Sequence, residues 1–441
     1  MSRTRRYIPL IVGMNGIEVG IFTRGVGGEF SFEYHPDWIS NERSFSISRS
    51  IALIEGKQRG EHIRAYFDNL LPDSQAVLNH IATRFGATGT DAYSLLKEIG
   101  SDCVGALQFV QDAVELEVPN TPLRYEILSE KDIERDLKNL KPAPLGIHPE
   151  GEFRISIAGV QEKTAFLKLK NGWAKPMGAT PTTHIFKPAL GRIGMGGINV
   201  DMSDSVANEH YCMELMRQFR LKTARTEMAK FGDKDVLIVE RFDRQMLKEG
   251  GILRKPQEDM CQAMGYPPSQ KYQTSGGPSL IQILDLLSGS DRPDEDRMTV
   301  FKANMIFWLI GATDGHAKNF SVFLMPGGGY RLTPIYDVLS LQPAKDAKRL
   351  PFKNFRLALS VGRKPHYKID NIHGRHFVES AIAADLPGTF AQEAITHIQN
   401  EFDRAFKDAL ASMPKDFPHE IHDTIYEGAK KRLPKLESAF Q

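Results

Sequence analysis

The sequence predicts an α+β protein in which a β-rich half precedes a helical half. Short runs of strand-like residues punctuated by turn signals recur from residue 7 to about 240. Beyond residue 257 the apolar residues fall at helical spacing. The chain has 441 residues, 41% of them hydrophobic, which allows two or three domains with sizeable cores.

Residues 7 to about 50 read as strands, with turns at "MNG", "RGVGGEF" and "HPDW". From "EHIRAYFDNLLPDSQAVLNHIATRFG" through "DAYSLLKEIG" the spacing is helical, with Pro72 and Gly86 as punctuation, and "CVGALQFV" is strand-like. A polar stretch ending in "NLKPAPLGIHPEGE" reads as a linker, so the first domain is set at 1–140. Then β signals return in "FRISIAG", in "KTAFLKLKNGWAKP" with an Asn-Gly hairpin turn at 171–172, and in "THIFKPAL". The helix "DSVANEHYCMELMRQFRL" is opened by Asp204 or Ser205 as cap. Two strands in "RTEMAKFGDKDVLIVERFDR", joined at Gly232-Asp233, close a second domain, 141–243. The third, 244–441, is helical, as in "PSLIQILDLLSGS" and "DRMTVFKANMIFWLIGATD". The glycine run "GRIGMGGIN" (191–199) follows no clean strand–helix junction and reads as a flexible loop, not a phosphate motif.

The formal net charge of +1 excludes a whole-molecule field for nucleic acid or acidic membrane. Basic stretches within 345–368 could touch phosphates, or simply be solvated loops. Cys103, Cys212 and Cys261 lie far apart with no CxxC pair, which suits small core residues in a reducing compartment. The basic-then-apolar N-terminus lacks a cleavage site, and no apolar run nears the ~18 residues of a membrane span. A cytoplasmic protein with no membrane contact is expected.

The chemistry concentrates in "GATDGHAKNFSVFLMPGGGYRLTPIYDVLS", residues 311–340. Phosphoryl transfer from ATP needs cations on the phosphates, a carboxylate beside the attacking hydroxyl, and metal ligands on the phosphate oxygens. Protein kinases place an Asn five positions after the catalytic Asp, and a second Asp after a hairpin. Here Asp314 is followed by Asn319, and a Gly-turned hairpin leads to Asp337. The oxygens of Asn319 and Asp337 suit Mg²⁺, which takes few protein ligands. Upstream, Lys187 sits in an apolar strand and needs a partner, either phosphate or Glu209 on the next helix; Glu214 shares that helix, and an edge-strand lysine reaching solvent is the plain alternative. "SIAGVQEKTA" (156–165) offers backbone N–H groups near Lys163 that could cradle phosphates. "VLIVERFDR" ends a strand where a two-lobed kinase has its hinge, or else is a charged connector.

Taken together, "RISIAGVQEKTA", "THIFKP", "NEHYCMELM", "VERFDR", "PQEDMCQAMG", "FWLIGATDGHAKNFSVFL" and "LTPIYDVLS" resemble the HipA family, kinase toxins of bacterial toxin–antitoxin modules. "YFDNLLPDS" and "EIGSDCVGA" extend the likeness to the N-terminal part. The resemblance implies a protein-kinase-like two-lobed fold, with a β-rich N-lobe, an extra N-terminal subdomain and an all-helical C-lobe. It implies Asp314 as catalytic base, Asn319 and Asp337 as Mg²⁺ ligands, and Lys187 on the α- and β-phosphates of ATP. The nucleotide loop would be Ala158, Gly159, Val160, Gln161, Glu162 and Lys163. Adenine would meet Glu240, Arg241 and Phe242, and His316, Ala317, Lys318 and Tyr336 would complete the ATP site. Ser156 matches the family's autophosphorylated serine, whose modification expels the loop; it is expected beside the phosphate-binding amides, two residues from Arg154. The implied partners are a helix-turn-helix, HipB-like antitoxin, operator DNA chiefly through that antitoxin, and an aminoacyl-tRNA synthetase substrate, commonly the glutamyl enzyme. Phosphorylating it would inhibit translation and promote growth arrest and persistence. A small-molecule or lipid kinase on the same scaffold, or a corepressor acting through its antitoxin, are the alternatives.

Overall fold

The computed structural model describes residues 7–140, 145, 155–159, 161–195, 198–349 and 355–437. Strands β1 (Leu10–Met14), β2 (Ile17–Arg24), β3 (Phe30–Tyr34), β4 (Gln58–Arg59) and β5 (Leu107–Val110) form an antiparallel sheet in the order β4-β3-β2-β1-β5. Asn15 and Gly16 turn β1 into β2 with φ of 50° and 84°, the mirror-image geometry of a two-residue hairpin. The buried face of this sheet, including Val12, Phe22 and Phe32, packs on the helices Glu61–Asp68 and Ala92–Ile99, with Phe22 stacked on Phe67 at 3.9 Å. Pro72 and Gly86 fall between and after helices, as expected; Gly86 caps Gln75–Phe85 in the left-handed region.

A second antiparallel sheet follows, ordered β12-β13-β9-β7-β8-β6. Its strands are β6 (Tyr125–Leu128), β7 (Thr164–Leu169), β8 (Gly172–Pro176) and β9 (His184–Pro188), then, after the hairpin β10 (Gly191–Met195) and β11 (Ile198–Met202), β12 (Thr226–Phe231) and β13 (Lys234–Glu240). β6 and the helix Glu130–Lys138 both precede residue 140 yet belong to this sheet's layer: Ile133 and Leu137 pack on Phe166, Phe186 and Val236.

Four local expectations need correction. The β7–β8 turn is Lys170-Asn171, because Leu169 pairs with Gly172; burial of the facing Leu167 and Ala174 fixes that register. Over its described residues the glycine run is strand and not loop: β10 and β11 pair from Gly191↔Met202 to Met195↔Ile198, and buried Val200 and Met202 anchor them. "FRISIAG" makes no strand over its described residues, since the Ser156 amide bonds to the Asp102 carbonyl instead of a sheet neighbour. Asp204 occupies the N-cap of Ser205–Gln218 without a side-chain cap bond, and the Ser205 hydroxyl accepts from the Leu190 amide at 2.9 Å. Most of the expected linker lies outside the described residues.

The C-terminal part is built on Pro293–Ile310, packed among the helices Leu280–Leu286, Gly374–Ala383, Gly388–Ala411 and His419–Arg432. It also carries a small sheet of Gln257–Asp259, Ser321–Leu324 and Tyr330–Leu332, which contains the expected hairpin. All three cysteines are buried and free. Among the described residues no helix is long and apolar enough to cross a membrane.

Candidate active site

A cleft of about 1270 Å³ lies between the six-stranded sheet and the helical part, with two loops of the N-terminal domain, at Asn69 to Asp73 and at Val104, reaching its wall. Strand alternation aims Lys187 into it. In β9, Phe186 is buried in the core beneath the helix Glu130–Lys138, so its neighbours Ile185 and Lys187 face the cleft. β9 is flanked by β13 and β7, which removes the edge-strand alternative. Lys187 Nζ donates to Glu209 Oε1 at 2.8 Å and to Asp337 Oδ1 at 2.7 Å. Burial pulls the ammonium pKa down, but Asp337 and Glu209 outweigh it and raise it, so Lys187 stays charged. Glu214 is thereby excluded as the partner: it bonds along its own helix to Arg217 and Gln218.

Asp314 is delivered by the end of Pro293–Ile310. That helix starts with Pro at its first turn and three acidic residues, which favour its N-terminus. Gly311, at φ 73°, ends it. Gly315 must lack a side chain, because a Cβ there would lie 2.4 Å from the Phe307 ring. The exposed Asp314 carboxylate accepts the Tyr272 hydroxyl at 2.5 Å. Asn319 Nδ2 donates to the carbonyls of Asp314 (3.1 Å) and Asp337 (3.2 Å), tying the two aspartate loops together.

Asp337 holds a left-handed backbone, φ 62°, an uncommon conformation for a non-glycine residue. Its loop is over-determined. Ile335 bonds to Lys222 and Ala224, and Ser340 exchanges two bonds with Asn208 on the Glu209 helix, both 3.0 Å. Although the side chain is 47% exposed, Lys187 holds the Asp337 carboxyl well below the usual range against the opposing effect of burial.

The nucleotide loop comes next. Gly159 has φ 108°, and Lys163 Nζ donates to the Ala158 carbonyl at 2.6 Å, beneath the position a Gly159 Cβ would take. Burial, then the neighbouring Lys187, lower the Lys163 pKa to about 8. Gln161 is bonded to the Pro188 carbonyl at 3.0 Å, and Glu162 also lines the cleft; Val160 lies outside the described residues. Ser156 is not in the cleft. It is fully buried, with Oγ donating to the Leu70 carbonyl at 2.7 Å, and Arg154 lies outside the described residues.

Glu240, Arg241 and Phe242 line the cleft at the end of β13. The Arg241 side chain turns away from it into a buried network with Asp102, Asp243 and Arg244, and its backbone is engaged as well: the amide donates to the Thr183 carbonyl at 2.9 Å and the carbonyl accepts the Arg244 amide at 3.2 Å. Phe242 packs on Tyr336 and Phe323, with ring centres 5.6 and 5.8 Å apart. His316 lines the cleft, is kept neutral by burial, and leaves Nδ1 without a hydrogen-bond partner among the described residues. Ala317 does not line the cleft: it is buried in the turn behind Lys318, with its amide bonded to the Lys271 carbonyl.

Lys271 and Tyr272 carry no signal at sequence level, and Asp73, although it lies within "YFDNLLPDS", has no role that local spacing assigns. Asp73 accepts from Lys318 at 2.7 Å and from Lys271 at 3.0 Å. Its partners lie 245 and 198 residues away in the chain, beyond the reach of any spacing argument.

Residues 155–408 match the profile of the HipA-like C-terminal domain, and residues 10–110 that of the HipA N-terminal domain. The chain belongs to the HipA family. It is 31% identical to the provisionally named kinase Y4mE of Sinorhizobium fredii, over 80% of this chain and 81% of that protein. It is 26% identical to the serine/threonine-protein kinase toxin HipA of Shewanella oneidensis, over 87% of this chain and 85% of the toxin. Among solved structures, the Shewanella oneidensis HipA in complex with HipB and its operator DNA superposes with a TM-score of 0.79 at 22% identity, covering 98% of this chain and 99% of that one. This HipA-family chain is a serine/threonine kinase with a kinase-like α+β fold.

Proposed function

We propose that this chain is the ATP-dependent kinase toxin of a toxin–antitoxin module and that it phosphorylates a serine or threonine of an aminoacyl-tRNA synthetase, the glutamyl enzyme foremost. The observation that carries the reading is the chain of contacts along the cleft: Lys187 bridges Glu209 and Asp337, while Asn319 bridges the Asp314 and Asp337 loops. Lys187, Lys163 and Lys318 supply cations for a polyphosphate. Among the described residues no three His, Cys, Asp or Glu side chains are grouped to hold a metal. The proposed donor set is Asn319 and Asp337, hard oxygens in the low number that suits Mg²⁺ on a nucleotide. Bound Mg²⁺-ATP supplies the transferable phosphoryl group, with the metal spreading its charge.

The protein's own part is positioning. Lys187 holds the α- and β-phosphates, and Ala158 to Lys163 wrap them. The backbone of Glu240 to Phe242 meets adenine, with Phe242 against Tyr336. Asp314 accepts the proton of the substrate hydroxyl, which requires Tyr272 to share or release its carboxylate. We further propose autophosphorylation at Ser156, a HipB-like helix-turn-helix antitoxin that carries the chain to operator DNA, and a cytoplasmic site of action that arrests translation and growth. The division at 1–140, 141–243 and 244–441 into N-terminal subdomain, N-lobe core and helical lobe is part of the same proposal, with the end of the first segment, Tyr125 to Lys138, packed on the N-lobe sheet. The partner in the Shewanella oneidensis complex, HipB with operator DNA, motivates the antitoxin.

The test is incubation of a panel of purified aminoacyl-tRNA synthetases with the chain and Mg²⁺-ATP, followed by mass-spectrometric mapping and aminoacylation assays. One synthetase should gain a phosphate and lose activity. Phosphate transfer to a small molecule or lipid, with every synthetase unmodified, overturns the substrate.

A further inference from the structure

We propose that Asp73, carried by the N-terminal domain, is a positioning residue of the kinase site that sets catalytic-loop Lys318 beside Asp314 and Asn319. The inference rests on the kinase reading above and goes beyond it, because it assigns part of the active site to the domain outside the two lobes.

Asp73 lies in the loop between the helices Glu61–Asp68 and Gln75–Phe85, and that loop is pinned at every step. Asn69 Nδ2 donates to the Ala65 and Tyr266 carbonyls, both at 2.8 Å. Leu70 accepts the Ser156 hydroxyl, Pro72 bridges to Gly159, and the Asp73 amide donates to the Gly159 carbonyl at 3.2 Å. The loop therefore touches the nucleotide loop through its backbone and the catalytic loop through its carboxylate.

The carboxylate is well placed to act on Lys318. Its side chain is 7% exposed and that of Lys318 is 5% exposed, and they meet at 2.7 Å. Lys271 closes the other oxygen at 3.0 Å. Burial pushes the carboxyl up, but Lys318 and Lys271 outweigh it and hold the pKa at about 2. The Lys318 backbone is held too, because its carbonyl accepts the Tyr336 hydroxyl at 2.7 Å. With both ends held, the ammonium stays at the cleft wall one residue from Asn319. Without Asp73, nothing in the N-terminal domain would fix where that charge sits. Misplacement of about 1 Å in a catalytic group costs about 100-fold in rate.

The experiment measures phosphate transfer from Mg²⁺-ATP to the full-length chain under single-turnover conditions, with ATP affinity read separately by calorimetry. The proteins are wild type, Asp73→Asn, Asp73→Glu, Lys318→Met and the double variant Asp73→Asn/Lys318→Met. Asp73→Asn should lower the maximal rate about 100-fold while half-saturation changes less than about threefold. Asp73→Glu should recover part of the rate. The double variant should be no slower than Lys318→Met, because the carboxylate acts through that lysine. Losses that multiply in the double variant, or a change confined to half-saturation, overturn the proposal. Transfer by wild type with an unchanged rate in Asp73→Asn overturns it while leaving the kinase reading intact. No transfer by wild type removes both.

Discussion

Replacing Ser156 tests how the nucleotide loop is held. The hydroxyl is fully buried and donates to the Leu70 carbonyl at 2.7 Å, and its amide donates to the Asp102 carbonyl. Ser156→Ala removes one bond and leaves one carbonyl less satisfied, a loss of about 1–3 kcal/mol. Ser156→Asp places a carboxylate against a carbonyl oxygen at a fully buried site, and an unpaired buried charge costs at least about 3–5 kcal/mol. A loop that gives way under about 3 kcal/mol is docked roughly 100-fold less often, and ATP affinity falls in proportion when only the docked loop binds. A phosphoserine, with close to two negative charges, should act more strongly still. The expulsion then comes from the docking pocket under Leu70 and not from repulsion by the nucleotide's phosphates. Calorimetric ATP titrations of both variants, with mass spectrometry of the wild type after Mg²⁺-ATP, provide the assay. Equal ATP affinity in the two variants, or no phosphate on Ser156, refutes the reasoning.

Two further outcomes follow from the geometry. Asp337→Gln should abolish most of the Mg²⁺ dependence of ATP affinity in calorimetry, since it removes the carboxylate of the two-ligand set. Asp102→Asn should destabilise the fold by about 3–5 kcal/mol in chemical denaturation, because Arg241 and Arg244 lose a shared buried partner. Burial raises the Asp102 carboxyl, but Arg244 and Arg241 depress it below its ordinary value near 3.8. Its contribution is thus complete above that value and lost only as pH falls through the depressed one, so the stability gap should be constant from pH 5 to 8 and close in acid.

The site was legible where local spacing carries the chemistry. Asp314, Asn319 and Asp337 sit on one continuous loop–hairpin–loop, so their meeting is written in the chain itself. Lys187 was legible because a charged residue in a buried strand demands a partner. The choice between Glu209 and Glu214 was not, since five positions on a helix buried on most sides give two different directions and no polar face to choose by. The partners of Asp73 and Tyr272 were not legible for a stronger reason: each is met across domains or loops that no period in the sequence connects, even though Asp73 lies in the quoted "YFDNLLPDS". At the expected hinge the strand end reaches the cleft, but the Arg241 guanidinium serves the buried network behind it. The glycine run misled because its flanks pair with each other, so permissive backbone became paired strand over its described residues.

The central claim is that Asp314 serves as the base of a phosphoryl transfer at this cleft. The direct measurement is transfer of labelled phosphate from Mg²⁺-ATP by wild type and Asp314→Asn, with ATP affinity measured on the same samples. Asp314→Asn should bind ATP within about threefold of wild type and lose transfer by about 10²–10⁴-fold. Wild-type transfer by Asp314→Asn would contradict the account.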